Sequence, residues 1–333
     1  MVVTSPTLSL GHGQRIGLGL AALGRPGYIN LGHGQDLETG RDVDSMRERA
    51  WMVLDAAFAA GVRYFDAARS YGLAEDFLAS WLVARAIEPG AVSVGSKWGY
   101  RYTADWRVDA EVHEVKELTV ANFEHQRDET LALLGPWLSL YQIHSATLDS
   151  GVLTDRALLA ALTELKAATG VALGLSVSGP EQARTVTRAV SLGIFDAVQA
   201  TWNPLDPSAG AALAGAHEAG MRVIVKEAVA NGRLTERGAG PVVEALRSEA
   251  ARLNGSVDGD VGALLGADAV AIAVALAQPW ADIVLSGAAS VEMLASNLRA
   301  SSLRVSQQLH AELRGAATAT DEYWAERAAL PWT

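Results

Sequence analysis

The feature that most constrains the fold is an alternation along the chain. Short β-branched or apolar runs recur, each followed by a longer Ala-rich amphipathic stretch, which is the order produced when parallel strands are joined by crossover helices. Strands are predicted at 15–20, 63–66, 92–97, 139–144, 172–177, 197–200, 222–226 and 282–286. Helices are predicted at 44–60, 73–86, 119–134, 155–169, 180–192, 208–219, 261–276 and 291–298. Gly61, Gly170, Gly193 and Gly220 each close a helical run just before a strand, the position of a left-handed helix stop.

Eight such units in 333 residues fit a closed (β/α)8 TIM barrel better than an open doubly wound sheet. No GxGxxG turn follows the first strand, and the cluster GLGLAALG from Gly17 lacks that spacing. The expected organisation is α/β, one domain over residues 1–333. Its long loops follow strands 3 (98–118) and 7 (228–259), and a tail at about 319–333 forms a further wall of the pocket.

Charge and composition narrow the function. With 27 basic against 38 acidic residues the net charge is -11, which disfavours partners bound through phosphate backbones or anionic lipid. Neither nucleic acid nor a membrane is therefore expected as a partner. The longest apolar run, 269–277, is far short of the roughly 20 residues that span a bilayer. No basic residue precedes Arg15 as a secretory leader requires. The chain reads as cytoplasmic. Cysteine is absent, so disulfides, thiolate catalysis and cysteine-held metals drop out. The seven histidines show neither HxH nor HExxH spacing, and no metal is expected.

The chemistry gathers at strand ends. The second strand finishes YFDAARSYG, placing Asp66 at its tip and Tyr71 in the loop beyond; the third ends at Lys97 and the fourth at His144. Singly, each has an ordinary explanation as a cap, a core ring or a rim side chain. Together, consecutive strands aim Asp, Tyr, Lys and His at one mouth. Hydride addition to a carbonyl builds negative charge on oxygen, so a proton donor is needed there. A phenol near pKa 10 serves when a nearby cation favours its ionised form. Lys97 supplies that cation, Asp66 holds Lys97, and His144 orients the carbonyl. No side chain stores hydride, so a cofactor is required.

These four residues, set in FDAARSYG, VGSKWG and LYQIHS, resemble the catalytic tetrad of the aldo-keto reductase superfamily, over residues of about 17–300. The resemblance implies NADP(H) or NAD(H) as cofactor, a small carbonyl or alcohol (aldehyde, ketone or sugar) as substrate, and Tyr71 as acid/base. It also implies that Ser176 and Gln199 contact the nicotinamide carboxamide, and that Ser286, Gly287 and Asn297 lie at the adenosine phosphate. This sequence departs from the family at Val177, where an Asn is common, at Lys226, where a stacking Tyr is frequent, and at Glu227, where a Ser is common. Met293 stands where an Arg commonly grips the 2′-phosphate in NADPH-preferring members, so weaker discrimination against NAD is expected unless Arg299 or another arginine substitutes. Lys226 is then expected at the cofactor, meeting a phosphate or Glu227.

Trp98, Tyr100 and Trp202 are expected to wall the substrate pocket, with Tyr102, Trp106, Tyr323, Trp324 and Trp332 nearby. Two other functions stand beside carbonyl reduction. One is a Schiff-base lyase using Lys226 or Lys97; the other is a sensor that holds a nicotinamide without turning over substrate.

Overall fold

Eight parallel strands close on themselves in the computed structural model, which describes residues 14–37, 40–255 and 264–333. In chain order the strands are β1 (Ile16–Gly19), β2 (Tyr64–Asp66), β3 (Ser93–Trp98), β4 (Tyr100–Tyr102), β5 (Glu114–Lys116), β6 (Leu138–Ala146), β7 (Ala172–Val177), β8 (Ala197–Thr201), β9 (Arg222–Lys226) and β10 (Ile283–Ser286). The barrel runs β1-β10-β9-β8-β7-β6-β3-β2, every neighbouring pair parallel. This is the (β/α)8 barrel expected from the alternation. The short β4 and β5 stand outside it as an antiparallel hairpin in the loop after β3.

The barrel interior is filled by Tyr64, Leu140, Ala172, Ala197, Ile224, Ile283 and Leu285. One large ring fits among small neighbours because glycine stands beside it. A Cβ on Gly17 would lie 2.9 Å from a ring carbon of Tyr64, and one on Gly95 would lie 2.3 Å from its hydroxyl. Gly17 therefore makes room for a core ring, a role its cluster did not disclose in the sequence. Outside the strands, two larger apolar clusters seat the helices, with Trp81 and Phe65 in one and Phe123 and Tyr141 in the other. Burial of this area from water is the main stabilising term.

The helices lie close to their expected places: Val43–Ala59, Ala74–Ala84, Val120–Leu134, Arg156–Thr169, Gln182–Leu192, Gly210–Glu218, Ala267–Leu276 and Val291–Leu298. Asp42, Thr119, Asp155 and Ser290 each accept a backbone N–H at the start of one of them. Gly170 and Gly193 close their helices at φ 75° and 67°, as a left-handed stop requires. The expected helix from 261 begins at Ala267 within the described residues; its first three residues, and the end of the connection at 256–259, lie outside them. That connection is not all loop, since it carries a helix, Pro241–Gly255, and the tail forms helices Gln307–Ala316 and Thr320–Ala328. Among the described residues no helix is long and apolar enough to cross a membrane.

Candidate active site

Parallel strands deliver their last residues to one rim, and the tetrad residues meet there. Asp66 ends β2, Tyr71 follows in the loop, and Lys97 and His144 lie near the ends of β3 and β6. Lys97 Nζ donates to Asp66 Oδ2, to the Ala67 carbonyl at 3.0 Å and toward the Tyr71 hydroxyl at 3.3 Å. The other carboxylate oxygen of Asp66 accepts from Gln199 Nε2 at 2.9 Å, with Tyr64 and Gln142 at 3.3 and 3.4 Å. Edge to face, the His144 ring meets Tyr71 at 5.4 Å and Tyr100 at 5.0 Å, and its Nδ1 lies 3.3 Å from the Ser70 hydroxyl.

Burial and charge set the protonation states. Burial pushes the Tyr71 phenol well above its ordinary value and Asp66 adds to that, while Arg25 pulls it down. The pull of a neighbouring cation toward ionisation is outweighed by desolvation here, and Tyr71 stands as a protonated donor at neutral pH. His144 is held well below the ordinary imidazole range by burial and by Lys97, Arg25 and Lys226, so it is neutral. If Nδ1 accepts the Ser70 hydroxyl, Nε2–H is the donor left for a ligand.

A cavity of about 320 Å³ opens over these groups. Asp66, Tyr71 and His144 line it, as do Ser176, Gln199, Lys226, Ser286, Gly287 and Asn297; Lys97 lies beneath Tyr71. Ser176 Oγ accepts the Ser145 N–H at 2.8 Å, and its own hydroxyl hydrogen meets no acceptor among the described residues. Gln199 gives its amide to Asp66, leaving Oε1 without a donor there. At the far end Ser286 donates to Asn297, whose amide donates to Asp268, both at 2.7 Å. Met293, Asp268 and Glu236 line the wall around that pair.

The sequence profile of the Aldo/keto reductase family matches residues 15–318. The chain belongs to the aldo/keto reductase family. Membership makes it an oxidoreductase, of a family that acts on small molecules. Solved structures with the same fold include the holo form of an aldo-keto reductase from Bacillus halodurans, at 19% identity and a TM-score of 0.67 over 95% of this chain and 97% of that one. Another is the PA4992 protein of Pseudomonas aeruginosa, named for the same family, at 18% identity and 0.61 over 90% and 98%. No curated protein matches the chain.

Against that family background, the departures at the end of β9 form a network. Lys226 Nζ donates to Thr201 Oγ1 at 2.6 Å and stands 3.7 Å from Glu227. Burial lowers its pKa to about 8, against the pull of Glu227. Glu227 adopts a left-handed backbone at φ 57° and pairs with Arg327 of the tail at 2.5 and 3.0 Å. Burial raises the Glu227 carboxyl, but Arg327 and Lys226 outweigh it and hold it at about 2. Val177 is fully buried in the core and offers nothing to the cavity.

Three aromatic expectations are revised. Trp98 is wholly buried against Phe123 at 5.0 Å, and Trp202 packs on Trp280 at 5.7 Å; neither lines the cavity. Tyr100 does not line the cavity and packs edge to face on His144, which does. Of the tail, Arg327 and Trp332 line the cavity, whereas Tyr323 and Trp324 bind Asn203 and Asp206 at 2.9 and 3.0 Å beneath it. The sequence reading missed Arg25 and Tyr28, which also line it. They stand in the loop after β1, and the rule that barrel loops at strand carboxyl ends build the site was the available signal.

Proposed function

We propose that this family member interconverts a carbonyl compound and an alcohol using NAD(H) or NADP(H), with Tyr71 as the proton donor and acceptor. The observation that carries the reading is geometric: the Tyr71 hydroxyl lies 3.3 Å from Lys97 Nζ, with the His144 ring edge to face on Tyr71 at 5.4 Å and both residues on the cavity wall. The spare hydroxyl hydrogen of Ser176 and Oε1 of Gln199 fit the two sides of a carboxamide, and the cavity continues to Ser286, Gly287 and Asn297 for the adenosine half. A bound nicotinamide would supply the hydride. His144 would hold the carbonyl oxygen, Tyr71 would give it a proton, and Lys97, anchored by Asp66, would stabilise the phenolate left behind.

The far end of the cavity favours the cofactor without a 2′-phosphate. Met293 offers no cation, and Arg237 on the same wall is held by Asp36 and the Leu31 carbonyl. The Asp268 carboxylate, met among the described residues only by the neutral Asn297 amide, repels a phosphate yet accepts hydrogen bonds from a ribose diol. Nicotinamide absorbance with purified protein, NADH or NADPH, and a panel of aldehydes, ketones and sugars tests both points. The expected result is oxidation of NADH matched by alcohol formed, at an efficiency no lower than with NADPH. Binding of cofactor without turnover of any member would replace this reading with that of a sensor. A strong NADPH preference would sink the assignment of the far end.

One observation favours a lyase instead: Lys226 is a buried amine lowered to about 8, on the cavity wall. Its Nζ is engaged with Thr201 and faces Glu227, which keeps it charged at neutral pH. Borohydride added with a carbonyl compound, in the absence of nicotinamide, is expected to leave the protein mass unchanged. A reduced adduct mapped to Lys226 would reverse the assignment.

A further inference from the structure

Arg25 is 2% exposed, yet only half of its guanidinium is used. Nη1 donates to the Ser70 carbonyl at 2.8 Å and to Glu114 at 2.9 Å. Nε is buried without an acceptor, and Nη2 makes no hydrogen bond among the described residues. Nε is enclosed, whereas Nη2 is the guanidinium donor left open to the cavity, where it can give a charge-assisted bond to a carboxylate oxygen. Buried donors in folded proteins are seldom left unmet, and such a group calls for a partner.

The setting says where that partner belongs. Arg25 lines the same cavity as Tyr71, and its guanidinium carbon lies 5.4 Å from the Tyr71 ring. Tyr28 and Trp332 approach it at 5.5 and 4.7 Å, and Trp332 is itself stacked on His113 at 4.1 Å. These rings and the Ser70 and Glu114 contacts fix the fork in place. Charge agrees: around this end of the cavity Arg25, Lys97, Lys226 and Arg327 outnumber Asp66, Glu114 and Glu227 by one, so a ligand anion is favoured.

We propose that the open Nη2 of Arg25 is a carboxylate subsite, and that the substrate class is a carbonyl compound bearing a carboxylate, held so that its carbonyl reaches Tyr71. The proposal rests on the carbonyl-reducing reading above. The reaction is unchanged by it: hydride goes to the carbonyl carbon, the Tyr71 proton to its oxygen, and the carboxylate stays intact.

Matched pairs isolate the carboxylate: succinic semialdehyde and 4-carboxybenzaldehyde, each against its methyl ester. The wild-type enzyme with NADH is expected to favour each acid by tenfold or more in kcat/KM. In Arg25→Gln the ratio falls to near one, and in Arg25→Lys, which keeps the charge but not the fork, to an intermediate value. An ester used as well as its acid by the wild type overturns the proposal. So does a ratio that survives in both variants, which would make Arg25 a tie for the hairpin and tail alone. Should Arg25→Gln fail to fold, Arg25→Lys decides. If no aldehyde is reduced with either nicotinamide, the redox reading fails by itself, and calorimetry with 4-methylbenzoate still judges the subsite. Binding weakened in Arg25→Lys supports it; binding unchanged in that variant, or no binding to the wild type, removes it.

Discussion

Replacing Tyr71 by Phe is expected to lower kcat by about 10²–10⁴-fold, the usual contribution of a positioned proton donor, with cofactor affinity little changed. The substitution removes one oxygen, 3.3 Å from Lys97 Nζ. It keeps the ring that packs on His144 and receives Lys97 at 4.8 Å and Arg25 at 5.4 Å. The loss to stability is therefore about 1 kcal/mol, the net value of one hydrogen bond. The direction of the pKa shift adds a second readout. Burial and Asp66 hold the phenol above its ordinary value, so wild-type reduction keeps its donor through neutral pH and loses it only on the alkaline side. Steady-state kinetics in both directions, with cofactor binding followed by fluorescence, check this. A variant that retains a tenth or more of wild-type kcat would assign the proton to another group, with His144 next in line.

The meeting of Asp66, Tyr71, Lys97 and His144 at one rim was legible in the sequence for a geometric reason. Asp66, Lys97 and His144 sit at or near the ends of strands, and once the alternation fixes a parallel barrel, strand ends converge wherever the helices go. Tyr71 is carried by a short loop whose first residues are pinned to β3, Ala67 N to Gly95 O at 2.8 Å and Arg69 N to Lys97 O at 3.0 Å. The substrate side was read less well because it depends on connections without periodicity. Trp98 precedes the hairpin by one residue and, as the last residue of a buried strand, turns to the core rather than to the mouth. Trp202, the residue after β8, likewise packs on Trp280 away from the mouth. Arg25 escaped notice because a lone arginine among Gly24, Pro26 and Gly27 looks like a solvated loop residue. Only the fold shows Glu114 from the hairpin and Trp332 from the tail closing over it. Gln199 shows a further limit. The family resemblance pointed to Gln199 as a nicotinamide contact, but not to its amide being turned to Asp66.

Lys97→Met is expected to cost about 3–5 kcal/mol of stability, the effect of breaking a buried ion pair from one side. Methionine matches the length of the lysine stem, so the loss is not one of packing. It strands the Asp66 carboxylate, 2% exposed, with only the neutral donors Gln199, Tyr64 and Gln142. Asp66→Asn strands the charge on the other side, leaving the Lys97 ammonium with the Ala67 carbonyl and the Tyr71 hydroxyl. The double variant removes both charges and is expected to be more stable than the sum of the two single losses predicts, by about 2 kcal/mol or more. Urea unfolding of the four proteins measures that difference. Activity separates the roles, because the double variant recovers stability without recovering turnover: the phenolate of Tyr71 then has no cation behind it. Additive losses would mean that the pair is not coupled, and that Lys97 is held by backbone contacts alone. A double variant that regained turnover would remove Lys97 from the proton-transfer step.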